Sequence, residues 1–436
     1  MSIDESPSAG DFPAFRQQLQ IITQKMARLI SAEPLPQRWI WSYAFTATGH
    51  SGRTILVADP SARLTAIRNE VTGWPEFAAL TEVVQSNEGL RRIILPSEEA
   101  GEASAEQRRG ALDESVLNFV EDYLDEARHV PGLWGEEIFS RLYNAFASSI
   151  SRNSWRVGLW APLYRCGSPD LGMESALASG CALIEVDAIT RDRLTGPPAP
   201  GRGVLVPRFF LRSETHQAYN TPWDTSAGRD LFAAQVFGIR LAVGGDARIR
   251  EIKQMALPGD CRPAEAAGMA TILTTPSDPI GGEVSTVKEE SLSTIRLYAE
   301  RFAWASREFG LAVRRFLSVA ERLNPEDRLI DAVIGLESLL LAGVSDELSF
   351  QFALRGAWLL EPTDRALREV LFQILRNVYT VRSGVVHGEE KALQRVTADV
   401  LKNAIESLRR LLIIIITEQP NRGEWRKRLK SAVLGP

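Results

Sequence analysis

The spacing of apolar residues changes character near residue 290. Upstream, short runs alternate apolar and polar positions. Trp39, Trp41, Tyr43 and Phe45 recur at every second residue, the period of a strand with one covered face. The segment TGHSGR follows, then TILVA at 54–58, and the pair predicts a β-hairpin. Further strands are expected at Trp155–Trp160, Ala182–Val186 and Val204–Leu211, with helices over Leu117–Ala127 and Phe139–Ala147. The charged segment 98–110 and the Pro- and Gly-rich segments 194–203 and 274–282 read as loops. Residues 1–290 therefore read as a mixed α/β region, with room for two subdomains meeting near residue 150, and no internal repeat is visible.

From Ser291 onward the strand pattern stops. Ser291 or Ser293 can cap a helix running to about Leu323, which Asn324-Pro325 ends. A second helix runs from Pro325 to Leu341, before Gly343. Ser345 can cap a third, Asp346 to Leu360, closed by Pro362. Thr363 can cap a fourth, Asp364 to about Arg382, and a fifth runs from about Glu390 to Thr417. Short connections between amphipathic helices predict an up-and-down bundle over 291–436. The expected fold class is α+β, with a mixed N-terminal region followed by an all-α bundle.

Composition narrows the function. A chain of 436 residues, 44% hydrophobic and 24% charged, is neither disordered, collagen-like nor a coiled coil. At about 100–200 residues per domain it holds two or three domains. The longest near-pure apolar run, Leu411–Ile416, is far short of the ~20 residues of a spanning helix, so no membrane partner is expected. The acidic start MSIDESPSAGDFPAF lacks the apolar core of a secretory leader. Three cysteines, Cys166, Cys181 and Cys261, give no disulfide framework, and a cytoplasmic location is the expectation. Four histidines at no ligand spacing, and no phosphate-cradling or dinucleotide loop, leave no cofactor or metal to expect. Charge is uneven: residues 295–436 carry 22 Lys+Arg against 18 Asp+Glu, a balance of +4 inside a chain of −5. That permits a polyanionic partner without demanding one.

Charged residues on apolar stripes carry the chemistry. Glu337 sits among Ile330, Val333, Ile334, Leu340 and Leu341 at helical spacing. Arg355 interrupts Leu348, Phe352 and Leu359. Arg382 ends the stripe Leu367, Val370, Leu371, Ile374, Leu375, Val378. A charge facing a core costs several kcal/mol, roughly, unless paired. The three should therefore meet one another or open onto a cleft; the alternative is an ion-pair network that only fixes helix register. His387 follows Arg382 as R-S-G-V-V-H. Five residues along a continuous helix is about 140° around its axis, so convergence needs the helix to end or bend, which Gly384 and Gly388 would permit.

These segments resemble the Apea-like HEPN domain family. The resemblance rests on RLIDAVIGLESLLL (328–341), DELSFQFALRGAWLL (346–360) and LRNVYTVRSGVVHG (375–388), in that order. It covers about 291–436, a third of the chain. It implies a HEPN-like helical bundle, a metal-independent endoribonuclease, an Arg and a His four to six residues apart, here Arg382 and His387, and a homodimer whose two motifs share a cleft. Many such proteins belong to bacterial antiviral or toxin–antitoxin systems. The family often has Asn, His or Asp directly after the Arg; this chain has Ser383, so the polar helper role is left open.

The chemistry gives that pairing a reason. Attack of the 2′-hydroxyl on the adjacent phosphorus needs a base, an acid for the leaving 5′-oxygen and positive charge on the phosphorane. One His387 cannot serve both sides of phosphorus at once, whereas two can. Arg382 offers a fork to the phosphate and Glu337 orients it. Tyr379 could donate to a phosphate oxygen, although core packing is the favoured reading of its ring. The basic tail NRGEWRKRLK (421–430) suits RNA contact or a solvated helix end. Leu411–Ile416 suits the bundle core or a dimer face, and Trp39, Trp41, Trp155 and Trp160 suit strand core or base stacking. His216 with Glu214 matches no motif. Two functions remain open: a ribonuclease whose N-terminal region senses a trigger ligand or protein or recruits RNA, or an inactive module that binds RNA or a nucleotide, or merely dimerises.

Overall fold

The structure, a computed structural model, describes residues 12–32, 34–35, 37–46, 49–58, 60–94, 105–168, 171–186, 190–191, 194, 207–218, 228–261, 269–272 and 283–434. Apolar residues gather into three main cores. The first is helical: α1 (Pro13–Ser31), α2 (Pro60–Val71), α3 (Pro75–Ser86), α4 (Glu88–Ile94), α5 (Ala105–Ala127) and α6 (Glu136–Arg152). Its centre is aromatic, with Phe15 stacked on Phe146 at 5.4 Å and Phe119 edge-on to both Phe139 and Phe146. The expected hairpin is present as β1 (Gln37–Thr46) and β2 (Gly49–Ala58), antiparallel with Trp39 opposite Leu56. The segment expected as a loop at 98–110 is corrected in its second half, because α5 already begins at Ala105. Its first half lies outside the described residues, as do 274–282 and all of 194–203 except Leu194.

The second core lies on an antiparallel sheet in the order β10-β9-β3-β7-β6-β5. The expected strands at 155–160 and 182–186 correspond to β3 (Ser154–Tyr164) and β6 (Ala182–Glu185), whereas the one expected at 204–211 is corrected to β7 (Phe209–Ala218), with Pro207 and Arg208 outside the strand. Residues 204–206 fall outside the described set. The remaining members are β5 (Glu174–Ala176), β8 (Arg248–Ile249), β9 (Glu251–Ala256) and β10 (Met269–Ile272), and β4 (Cys166–Gly167) pairs in parallel with β11 (Ser285–Thr286). Alternation on β3 puts Trp155, Val157, Leu159, Ala161 and Leu163 in this core, under α7 (Arg229–Val243). Where α6 gives way to β3, Asn153 adopts the left-handed conformation that ends helices. The adjoining Asp260 carboxylate is fully buried and answered by the Arg156 backbone N–H at 2.7 Å and its Nη2 at 2.9 Å.

The third core is all-helical: α8 (Leu292–Glu300), α9 (Phe302–Val319), α10 (Pro325–Leu340), α11 (Leu348–Leu360), α12 (Arg365–Val386), α13 (Glu390–Leu393), α14 (Ala398–Glu418) and α15 (Arg422–Leu434). Four expectations are corrected. The first helix is divided at Arg301. The fifth is broken after Leu393, with the Thr397 hydroxyl accepting from the Val400 N–H to start α14. Asp364, not Thr363, caps α12 by accepting from the Leu367 N–H. Glu347, in the left-handed region, stands where Ser345 was expected to cap α11.

The change of texture at 290 does not separate the cores. Phe237 and Leu241 of α7 belong to the bundle core, while Leu292 and Ile295 of α8 belong to the sheet core. A Cβ at Gly238 would lie 2.6 Å from the Ile295 carbonyl oxygen, so only glycine lets α7 and α8 approach this closely. Among the described residues, no helix is long and apolar enough to cross a membrane.

Helix C-termini leave carbonyls without intrahelical partners. In the bundle, arginines from other elements take them. Arg240 donates to the Phe316 and Leu317 carbonyls at 2.6 and 2.8 Å, and Arg248 to that of Ala320 at 2.7 Å, all at the end of α9. Arg410 donates to Leu360 at the end of α11, Arg301 to Ile416 in α14, and Arg409 to Leu241 in α7. Each also places a cation at the negative end of a helix dipole.

Candidate functional site

The site is built on α10 and α12. Glu337 lies on the fourth turn of α10, started by Pro325, and Arg382 on the penultimate turn of α12. The Arg382 Nη2 approaches the Glu337 Oε2 to 3.2 Å, with each side chain about one-fifth exposed. Burial pushes the Glu337 carboxyl above the usual range, and Arg382 pulls it partly back. One turn before Ser383, the Tyr379 ring lies 5.1 Å from that of Phe352. Burial and then the Glu337 charge hold its phenol above the ordinary value, against Arg382. The ring is both core and lining.

Arg355 is not a third member of the pair. Its guanidinium donates to the Leu340 carbonyl at 2.9 Å, closing the C-terminus of α10, and burial lowers its pKa. The expectation that three intruding charges would meet holds for two. Asp331, also on α10 and 2% exposed, is the buried carboxylate that sequence reading missed. Arg315 at 2.5 Å and Arg322 at 2.7 Å satisfy it.

No break separates Arg382 from His387. The helix α12 runs on through Gly384 to Val386, and His387 is its C-cap. Gly388, at φ 73°, supplies the left-handed residue that follows. The Glu389 N–H bonds the Gly384 carbonyl at 2.9 Å and the Gly388 N–H bonds that of Val385 at 3.1 Å, a complete Schellman motif. Gly384 serves a different purpose from a bend: a Cβ there would meet that of Ala392 at 2.5 Å. Arg382 and His387 therefore leave the helix about 140° apart. Tyr379 and Ser383 fill the arc between them, since residues three and four apart are neighbours on a helix surface. Arg382, Tyr379, Ser383 and His387 form one continuous strip, half-buried at Arg382 and exposed at His387.

The apolar stripe of α12 is covered only in its second half. Leu375, Val378 and Val381 are buried, whereas Leu367 and Val370 are 53% and 55% exposed. Phe350 of α11, edge-on to Phe372 of α12, is also exposed, and Val386 is exposed next to His387. The basic tail is corrected as a stacking element: Trp425 is 2% exposed and its Nε1 donates to the Leu339 carbonyl at 2.8 Å. Leu411, Leu412, Ile415 and Ile416 are bundle core. Trp155 is strand core and Trp160 sits on the opposite sheet face, 5.7 Å from the Arg212 guanidinium; the side chains of Trp39 and Trp41 lie outside the described residues. His216 is exposed on β7. Among the described residues, no group of three His, Cys, Asp or Glu could hold a metal ion. Burial pushes the Cys166 and Cys181 thiols up to about 12, which makes poor nucleophiles of them.

No protein family, curated protein or solved structure matches the chain.

Proposed function

We propose that the chain is a metal-independent endoribonuclease of HEPN type, cutting RNA at a composite site between two copies of its C-terminal bundle. The observation that carries the reading is the strip on α12: a guanidinium paired to a carboxylate, a phenol, a hydroxyl and an exposed imidazole in unbroken succession. A phosphate lying along it meets Arg382 at one end and His387 at the other. One His387 takes the proton of the 2′-hydroxyl, whose oxygen attacks phosphorus. The partner's His387 gives a proton to the departing 5′-oxygen, leaving a 2′,3′-cyclic phosphate. Val386, exposed beside His387 at the end of the same helix, supports a second copy on this face. The setting proposed is a cytoplasmic antiviral or toxin-like system, with residues 1–290 receiving a trigger or recruiting RNA.

The runner-up is an inactive module that holds RNA or a nucleotide. Ser383 at the helper position and the divergence of Arg382 and His387 within one chain support it. Incubation with total RNA in EDTA, beside the H387A variant, separates the two. Metal-independent fragments ending in cyclic phosphate, lost in the variant, support the ribonuclease. Retained RNA binding without cutting in either protein supports the module.

A further inference from the structure

The cavity between the sheet and the bundle lies away from the Arg382 strip. It measures about 320 Å³, at the lower end of the range for small-molecule sites. The end of α7, the turn Gly244-Gly245-Asp246 and the first half of α14 enclose it. Its apolar lining is Val243 and Phe316 from one side and Leu401 and Ile405 from α14.

Its charges are of both signs, and they are not fully matched. Arg328 is spoken for by Asp246 at 2.7 Å, and Arg409 by both oxygens of Glu406 at 2.7 and 2.9 Å. Arg240 is committed to two carbonyls, and Asp246 and Glu321 act on its charge from further off. Lys402 lines the cavity from α14, is exposed, and has no ion pair among the described residues. Asp246, Glu283 and Glu406 supply acceptor oxygens around the same cavity. A bare phosphate would meet those carboxylates unfavourably and leave the aliphatic lining uncovered. A purely apolar ligand would desolvate Lys402 without answering it. A molecule joining an anionic group to hydroxyl or amino donors and a flat body satisfies all three linings.

We propose that this cavity binds a nucleoside monophosphate, with the phosphate toward Lys402, the ribose or base donors toward the carboxylates, and the base against Leu401 and Ile405. Because the lining comes from the end of α7 and the turn after it as well as from the bundle helices, the bound ligand ties α7 to the bundle. The inference does not rest on the ribonuclease reading, and its test measures binding alone.

The experiment is calorimetric titration of the full chain with AMP, GMP, CMP and UMP, with adenosine and inorganic phosphate as separate arms. At least one monophosphate is expected to bind saturably with a dissociation constant below about 1 mM. Adenosine and phosphate are each expected to bind at least tenfold more weakly. Lys402→Glu should weaken the monophosphate at least tenfold while leaving the thermal midpoint of the free protein unchanged, since Lys402 is exposed and unpaired. A second variant, Leu401→Trp, should fill the cavity and remove binding without touching charge. Absence of saturable binding by all four monophosphates overturns the proposal. So does binding that inorganic phosphate matches, or binding that both variants leave intact.

Discussion

Two polar seams in the C-terminal half answer their arginines with different acceptors. Between α7 and α9, Arg240 is 1% exposed and both terminal nitrogens reach carbonyls at the end of α9. Between α10 and α12, Arg382 is one-fifth exposed and faces the Glu337 carboxylate at 3.2 Å. A carbonyl at a helix end is fixed by the backbone, so an arginine bound there is committed to the fold. A carboxylate side chain at the solvent edge can share its guanidinium with an incoming phosphate. The difference distinguishes a structural cation from one with donors to spare, although both interrupt apolar surroundings.

The comparison breaks most visibly at His387. Under the proposed mechanism, His387→Ala lowers RNA cleavage by about 10²–10⁴-fold, the usual worth of a proton-transfer group. Its thermal midpoint should match the parent, because the side chain is exposed. A gel-based cleavage assay beside a calorimetric scan checks both halves of that statement. Equal cutting by the variant would move the chemistry elsewhere.

Arg240→Met probes the committed seam. It leaves the Phe316 and Leu317 carbonyls unanswered and is expected to lower stability by about 3 kcal/mol, as removal of a buried hydrogen-bonded charge does. Urea unfolding followed by circular dichroism reads the loss. RNA affinity per folded molecule should not move, and a selective loss of RNA affinity would erase the distinction between the seams.

Arg382→Met should cost less, about 2 kcal/mol, because the pair is only partly buried. The cost should depend on pH. Burial holds the Glu337 carboxyl above its reference of 4.5, so folding disfavours its charged form relative to the unfolded chain. Without Arg382 that value rises further. The variant's deficit is then small near pH 4.5 and grows as pH rises through the folded value, since the unfolded chain ionises first. Unfolding midpoints at acidic, neutral and mildly alkaline pH read this out. Glu337→Gln in the same chain should flatten the profile, and a deficit that shrinks with pH would reverse the assignment.

The smallest effect is expected at Trp425. Trp425→Phe loses one hydrogen bond, to Leu339, and should cost about 1 kcal/mol. RNA affinity measured by filter binding should be unchanged, whereas a large drop would return the tail to a stacking role.

Much of the bundle was legible because its punctuation is local. Pro325, Pro362 and Gly388 stop or start helices through their own backbone chemistry, wherever they lie in the fold. The hairpin at 37–58 and the strand at 154–164 were legible for the same reason, as period-two alternation. Signal also went unused: Phe15, Leu19, Ile22, Met26 and Ile30 mark the buried stripe of α1 at helical spacing. The pattern around 290 did not show that α7 buries residues in two cores at once. A change of pattern along the chain does not report which face of a helix meets which neighbour.

Glu337, Arg355 and Arg382 show where sequence stops. By itself, the sequence determined that each interrupts an apolar stripe and must find a partner, since an unanswered buried charge costs more than the fold can spare. Nothing local distinguishes the two arginines. The tertiary structure decided that Arg355 lies against the Leu340 carbonyl and Arg382 against Glu337. Partner choice is a matter of distance between elements far apart in sequence. Helix packing sets that distance, so only the assembled bundle makes one arginine a cap and leaves the other beside an exposed histidine.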